Sequence, residues 1–238
     1  MKAMILAAGL GTRLKPFTDK RPKALAVVNN KTLLQRNIEY LQQFGIKEVI
    51  VNVHHFAEQI IETIKSNNGF GSDITISDET NEVLETGGGL KKTNWYFKNE
   101  TDFVLMNVDI LTDLQLNEMI AQHQQQKALA TLATTNRETS RYFLFNYKNE
   151  LCGWKNVKTN EEKIIRKQDS LTQKAFSGIH VINSKIFSLI NQEGKFSMVD
   201  VYLSLCNENN IQCFDHSNSK FIDVGMIESI IKAETMFS

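Results

Sequence analysis

Ala3-Met4-Ile5-Leu6-Ala7-Ala8-Gly9-Leu10-Gly11-Thr12-Arg13-Leu14-Lys15-Pro16-Phe17-Thr18 is the stretch whose reading decides the fold. Its first six residues are apolar and end at a glycine. A short unbroken apolar run of this kind reads as a strand buried on both faces, the habit of parallel sheets. Residues 9–31 are then rich in Gly, Pro, Thr, Asp and Asn and read as loop. A loop this long inside a compact domain is uncommon and usually functional.

Working outward, Leu33, Leu34, Asn37, Ile38 and Leu41 have helical spacing, with Thr32 as cap and Gly45 as stop. Glu48–Val53 predicts a second buried strand. Ile60, Ile61 and Ile64 predict a helix over 57–67, and residues 73–77 a third strand. Leu84–Gly89 reads as a glycine-rich turn, followed by a short helix over Leu90–Phe97. Phe103–Met106 predicts a fourth buried strand. Asp113 is expected to cap a helix from Leu114 to Gln125, and residues 129–134 to form a strand. Strand and helix alternate throughout, which predicts a doubly wound α/β sheet. After Arg137 the texture changes to short antiparallel strands over 142–147, 151–157 and 163–166. A strand over 175–182, helices over 185–190 and 198–207, a strand over 221–224 and a helix over 227–236 complete the expectation.

At 238 residues the chain is read as one domain, with 42% hydrophobic residues to build its core. Lys+Arg and Asp+Glu are both 27, so the formal net charge is zero, which argues against a general nucleic-acid binder. Cys152, Cys206 and Cys213 form no CxxC pair and read as reduced thiols. No apolar run nears the ~18 residues of a membrane span, and Ala3–Ala8 is too short for a signal-peptide core. A cytoplasmic protein without membrane or nucleic-acid partners is expected. No internal repeat is visible, and no hexapeptide pattern predicts a C-terminal β-helix.

The chemistry-bearing features are three. The loop after the first strand carries Arg13, Lys15, Lys20, Arg21 and Lys23 against one acid, Asp19. Glycines let backbone N–H groups approach an anion, and the added cations make a polyphosphate site. A dinucleotide fingerprint fails because Leu14 stands at its third glycine and Pro16 blocks the helix. A Walker loop fails for want of Gly-Lys-Ser/Thr. Secondly, Asp109 and Asp223 each follow an apolar run and are expected at strand ends, where open α/β sheets bind ligands. Two carboxylates there suit Mg²⁺. Thirdly, Gly87-Gly88-Gly89 can bring backbone close to a flat ligand. His54 and His55 lack partners at metal-ligand spacing and read as rim residues. His123 is expected to face solvent.

Gly9-Leu10-Gly11-Thr12-Arg13-Leu14 with Pro22-Lys23 resembles the signature of sugar-1-phosphate nucleotidylyltransferases. The likeness extends to Leu84–Leu90, Asn107–Asp109, Phe176–Ile179 and Ile222–Gly225. The short bacterial enzymes similar to N-acetylmuramate 1-phosphate uridylyltransferase of cell-wall recycling look closest, with mannose- and heptose-1-phosphate guanylyltransferases alike. The resemblance implies a three-layer α/β/α sandwich of the nucleotide-diphospho-sugar transferase type, with a mostly parallel sheet. It implies one domain over 1–238, about 1–136 holding the nucleotide and about 137–238 the sugar, as monomer or homodimer.

It also implies roles. Gly9, Gly11, Thr12 and Arg13 would hold the triphosphate, and Lys23 would bridge the α-phosphate and the sugar phosphate. Asp109 and Asp223 would hold Mg²⁺. Leu6, Ala7, Ala8, Gly87 and Glu79 would bind the nucleotide, and Asn107 and Gly178 the sugar. The segment Arg141–Lys167, with Tyr142, Trp154 and Lys155, would build the sugar pocket. Val108 departs from the glycine of many relatives and is expected to narrow the metal space or turn inward. The implied reaction joins UTP to N-acetylmuramate 1-phosphate or a related sugar. Guanylyl transfer to mannose or heptose 1-phosphate, cytidylyl transfer to phosphocholine and an inactive regulatory homologue are the alternatives.

Overall fold

The computed structural model describes residues 1–237. The first elements are β1 (Ala3–Leu6), β2 (Val27–Val28), β3 (Lys31–Thr32), α1 (Leu33–Gln43), β4 (Glu48–Val53), α2 (Ala57–Ser66) and β5 (Asp73–Asp78). Next come α3 (Glu85–Lys92), α4 (Asn94–Phe97), β6 (Asp102–Asn107), β7 (Ile110–Thr112), α5 (Leu116–Gln125) and β8 (Ala130–Thr135). The remainder is β9 (Arg141–Phe145), β10 (Leu151–Asn156), β11 (Glu161–Ile164), β12 (Thr172–Asn183), α6 (Ile186–Leu189), α7 (Met198–Leu205), β13 (Ile211–Asp215), β14 (Phe221–Asp223) and α8 (Ile227–Met236).

One ten-stranded sheet organises the molecule, in the order β11-β10-β9-β12-β6-β1-β4-β5, with β8 on β12 and β13 on β8. β1 pairs in parallel with β4 and β6, and β4 with β5. β12 runs antiparallel to β6 and joins the two halves of the sheet. Successive strand residues point to opposite faces. Ala3 and Ile5 therefore meet the helices α1, α2 and α5 through Leu34, Ile60 and Met119. Met4 and Leu6 meet the other layer through Leu90, Phe97 and Tyr202 of α3, α4 and α7. The three-layer sandwich expected from the sequence is the observed one. No described helix is long and apolar enough to cross a membrane.

Local expectations hold where side chains set them. Thr32 Oγ1 accepts from the Gln35 N–H at 3.1 Å and caps α1, and Gly45 leaves it at φ 75°. Four readings are corrected. Leu84–Gly89 is not a turn: its three glycines lie inside α3, buried against another segment. A Cβ on Gly88 would stand 2.3 Å from the Gly194 carbonyl oxygen, and one on Gly87 2.5 Å from the Phe196 ring. Asp113 does not cap a helix; its Oδ1 accepts from the Lys220 N–H at 2.7 Å, and α5 begins at Leu116. His123 does not face solvent; it is 1% exposed and bonds Thr131 Oγ1 at 2.9 Å and Asp102 Oδ1 at 3.3 Å. β14 is not in the main sheet but pairs antiparallel with β7, so that Asp223 faces Ile110. β2, β3, β7 and β13 were not foreseen from the sequence, and β2 lies within the stretch 9–31 read as loop.

A third apolar cluster ties Leu14 of the glycine loop to Val28, Leu111, Val224 and Ala233. The cations of that loop are thereby carried on a buried floor. All three cysteines are buried free thiols.

Two stability measurements follow. Gly88→Ala should lower stability by ~1–3 kcal/mol in thermal unfolding, because carbonyl and helix must move apart. Gly9→Ala, where nothing lies within 4 Å of the added Cβ, should stay within about 0.5 kcal/mol of wild type. His180 lies wholly buried with Nδ1 2.6 Å from the Tyr202 hydroxyl, and burial pushes its pKa down to about 3. The unfolded imidazole takes a proton near pH 6.5 and the folded one does not. Stability conferred by the neutral ring is therefore lost as pH falls from about 6.5 towards 3. Urea midpoints between pH 7 and 4 should fall less steeply in His180→Gln.

Candidate active site

The cleft opens at the carboxyl ends of β1 and β6, with a volume of ≈ 420 Å³. That is room for a small-molecule ligand. One wall is the glycine loop. Gly11 sits at φ 62°, and a Cβ there would lie 2.8 Å from Thr18 Cγ2. Thr18 Oγ1 donates to the Gly11 carbonyl at 3.0 Å and the Leu14 N–H closes a turn on the same oxygen at 2.9 Å. Only glycine fits this turn, which sets Thr12 and Arg13 at the cleft.

The second wall hangs on Asn52. It stands on β4 beside Leu6, and its Oδ1 accepts from the Ala7 N–H at 2.7 Å. Its Nδ2 donates to Glu79 Oε1 at 2.8 Å, and the Leu84 N–H reaches Glu79 Oε2 at 3.3 Å. Burial pushes the Glu79 carboxyl above its ordinary value, against the donors of Asn52 and Leu84 that pull it down. One buried amide thus links the end of β1 to the start of α3. The His54 ring adds a contact to the Glu79 carbonyl at 2.7 Å.

Charge collects on the remaining side. Lys23 forms an ion pair with Asp109, their side chains 11% and 17% exposed. Asp109 follows β6, and its carbonyl accepts from the Val224 N–H at 2.8 Å. That bond draws the end of β14 alongside. Gly225 then lies against both Asp223 and Arg13: a Cβ there would be 2.8 Å from Asp223 Oδ1 and 3.1 Å from Arg13 Nη2. Asp223 Oδ1 is buried without a hydrogen-bond partner. Burial raises the Asp223 pKa, the Asp109 charge raises it further, and Lys23, Arg13 and Arg137 oppose both.

Of the residues singled out in the sequence, Leu6, Ala7, Ala8, Gly9, Gly11, Thr12, Arg13, Lys23, Asn107 and Asp109 border one cleft. Asp223 stands behind Gly225 at its edge. Gly178, at φ 76°, touches the Asn107 amide rather than the cleft; a Cβ on it would lie 2.8 Å from Asn107 Nδ2. Glu79 is 2% exposed and lies behind the wall, where it holds Asn52. Gly87 is turned away, its N–H donating to the Phe196 carbonyl at 2.9 Å. Val108 also borders the cleft; it is 5% exposed and packs into the core, with its carbonyl on Asn37 Nδ2 at 2.7 Å. No residue of Arg141–Lys167 borders the cleft, because β9, β10 and β11 form the far edge of the sheet.

Asn52, Val83 and Ser197 also border it and were not singled out in the sequence; Glu85, Thr86 and Gly225 border it too, within stretches that carry the likeness but with no role assigned to them. Asn52 had a signal, as an amide within a buried apolar strand. Ser197 had a weaker one: it caps α7, its Oγ accepting from the Asp200 N–H at 3.2 Å. Glu85 lies at φ 59°, a left-handed conformation that costs an L residue roughly 1–2 kcal/mol.

Comparison with known proteins places the chain among nucleotidyl transferases. D-glycero-alpha-D-manno-heptose 1-phosphate guanylyltransferase of Campylobacter jejuni is 34% identical over 83% of this chain and 82% of its own length. N-acetylmuramate alpha-1-phosphate uridylyltransferase of Caulobacter vibrioides is 44% identical, over 37% of this chain and 38% of its own. Mannose-1-phosphate guanyltransferase of Yarrowia lipolytica is 28% identical over the full chain, which spans 64% of that protein's length. The crystal structure of HddC from Yersinia pseudotuberculosis superposes with a TM-score of 0.77 at 25% identity, covering 100% of this chain and 99% of that one. The model of the nucleotidyl transferase family matches residues 2–237, every cleft residue included, and the chain belongs to that family.

Proposed function

We propose that this protein transfers a nucleotidyl group from a nucleoside triphosphate to a sugar 1-phosphate, giving a nucleoside diphosphate sugar and pyrophosphate. The observation that carries the reading is the meeting of Arg13, Lys23, Asp109 and Asp223 around Gly225, beside a glycine loop. A phosphate oxygen of the sugar 1-phosphate would attack the α-phosphorus, and the bond to the β-phosphate oxygen would break. No protein nucleophile is needed, so positioning and charge neutralisation account for the catalysis. The loop N–H groups and Arg13 would hold the departing pyrophosphate. Lys23, standing on Asp109, would meet the two phosphates that react.

The donor set suits Mg²⁺. Asp109 and Asp223 offer hard oxygen ligands only, and the buried Asp223 Oδ1 lacks a donor of its own. No cluster of three or more His, Cys, Asp or Glu exists among the described residues to hold a metal without substrate. Mg²⁺ commonly takes one or two carboxylates and completes its shell with phosphates and water. Bound there, it would neutralise charge on the nucleotide phosphates. Asp109 and Asp223 would place it, and Val224 and Gly225 fix the second of them.

For the substrates, UTP and N-acetylmuramate 1-phosphate are the reading we favour. It is supported by Leu84–Gly89 and by the local 44% identity to the Caulobacter uridylyltransferase. The longer match to the Campylobacter enzyme favours guanylyl transfer to a heptose 1-phosphate as the second reading.

Pyrophosphate release with Mg²⁺ across UTP, GTP, CTP and dTTP tests this. Each is paired with N-acetylmuramate, heptose, mannose, glucose and N-acetylglucosamine 1-phosphates and with phosphocholine. One pair should turn over, and Lys23→Ala and Asp109→Ala should each lower its rate by roughly 10²–10³. Binding of nucleotide with no turnover of any pair would overturn the reading.

A further inference from the structure

Nine described residues other than glycine sit at positive φ. Five are asparagine, the type that tolerates this region best. Of the other four, Phe56, Phe70, Glu85 and Lys127, only Glu85 borders the cleft. Strain kept at a cleft wall points to a use for the side chain. Glycine would take the same φ without strain, so the backbone alone does not ask for glutamate there.

The fold supplies no sufficient reason either. Glu85 Oε1 lies 3.6 Å from Lys195 Nζ, but the two side chains are 47% and 55% exposed, and such pairs contribute little. An acid in a first helical turn is mildly favourable, but that benefit does not require a left-handed residue. The start of α3 is already fixed by the Gly87 and Gly88 N–H groups on the Phe196 carbonyl and by Leu84 on Glu79. The Thr86 hydroxyl accepts from the Met198 N–H at 2.9 Å and completes that anchorage. Among the described residues the Glu85 carboxylate accepts no hydrogen bond from the protein.

What a carboxylate does in this cleft is limited by charge. Phosphates belong on the side of Arg13 and Lys23, and Glu85 repels them. Its partner is a neutral hydrogen-bond donor. We propose that Glu85 is a specificity-determining residue whose carboxylate accepts a hydrogen bond from a neutral N–H or O–H group of the substrate, on the base or on the sugar. The proposal rests on the nucleotidyl-transfer reading above. An acceptor that a bound substrate takes out of water without pairing penalises that substrate, which is how such a residue discriminates.

Three variants test it: Glu85→Gly, Glu85→Gln and Lys127→Gly. kcat/KM is measured for the preferred pair, for the other nucleotides with the same sugar phosphate, and for the other sugar phosphates with the same nucleotide. Thermal unfolding is recorded in parallel. Glu85→Gly should raise Tm by about 2–4 °C, since its strain is gone. It should also lose at least about ten-fold in discrimination, among nucleotides if the donor is on the base and among sugars if it is a hydroxyl. Glu85→Gln, which keeps the strain and an accepting amide oxygen, should retain most of the discrimination without the gain in Tm. Lys127→Gly relieves a left-handed residue outside the cleft, φ 47°, and should raise Tm with preferences unchanged. Unchanged discrimination along both axes in an active Glu85→Gly protein overturns the role of Glu85 alone. A wild-type protein that turns over no pair overturns the underlying reading as well.

Discussion

The donation of the Val224 N–H to the Asp109 carbonyl is the contact on which the site depends. β6 and β14 are not neighbours in the sheet. β14 belongs to a two-stranded ribbon with β7, and β7 begins immediately after Asp109. The ribbon folds back over the end of β6 and delivers Asp223 to Asp109. Once the two carboxylates are close, cations must be near them, because two like charges in a half-buried place are costly. Lys23 and Arg13 from the glycine loop serve that need. Leu14, two residues beyond Thr12, anchors the same loop to Val224 through the third apolar cluster. Packing and charge therefore specify one arrangement.

The second constraint is close approach. Gly87 and Gly88 in a helix interior each cost ~0.5–1 kcal/mol relative to alanine. They are kept because the segment Gly194–Ser197 lies where a side chain would be. This contact ties the layer that carries Glu85 and Thr86 to α7. Ser197, at the start of α7, thus joins Gly225 in a cleft whose other lining residues come from the first half of the chain.

The parallel half of the fold was legible because β1, β4 and β6 are largely apolar runs, β5 alternates apolar with polar residues, and the helices that cover them have an apolar face. Asp109 and the glycine loop were legible for the same reason, since chemistry follows a buried strand. What escaped had no periodic signature. β7 is three residues long and makes sense only through its partner, more than a hundred residues away. The glycines of α3 read as a turn because glycine is a poor helix former, and only the Phe196 contact shows why they are helical. His123 was read as exposed from its glutamine neighbours, yet Asp102 and Thr131 supply buried partners from other strands. Glu79 and Gly87 were placed on the ligand by likeness and are found behind the wall, where polar groups already satisfy them. Tertiary partners decided each case.

The ribbon that carries Asp223 also orders events during synthesis. The strands from β1 to β6 lie in the first half of the chain and can pair while the rest is still being made. Asp109 reaches its final surroundings only after residue 224 has left the ribosome, because its carbonyl waits for that N–H. Closing a loop of this length is entropically slow relative to the local β–α contacts that precede it. A nascent chain can thus hold a nearly complete sheet with a half-made cleft, its glycine loop in place and one acid missing. The complete cleft is the last feature this fold acquires.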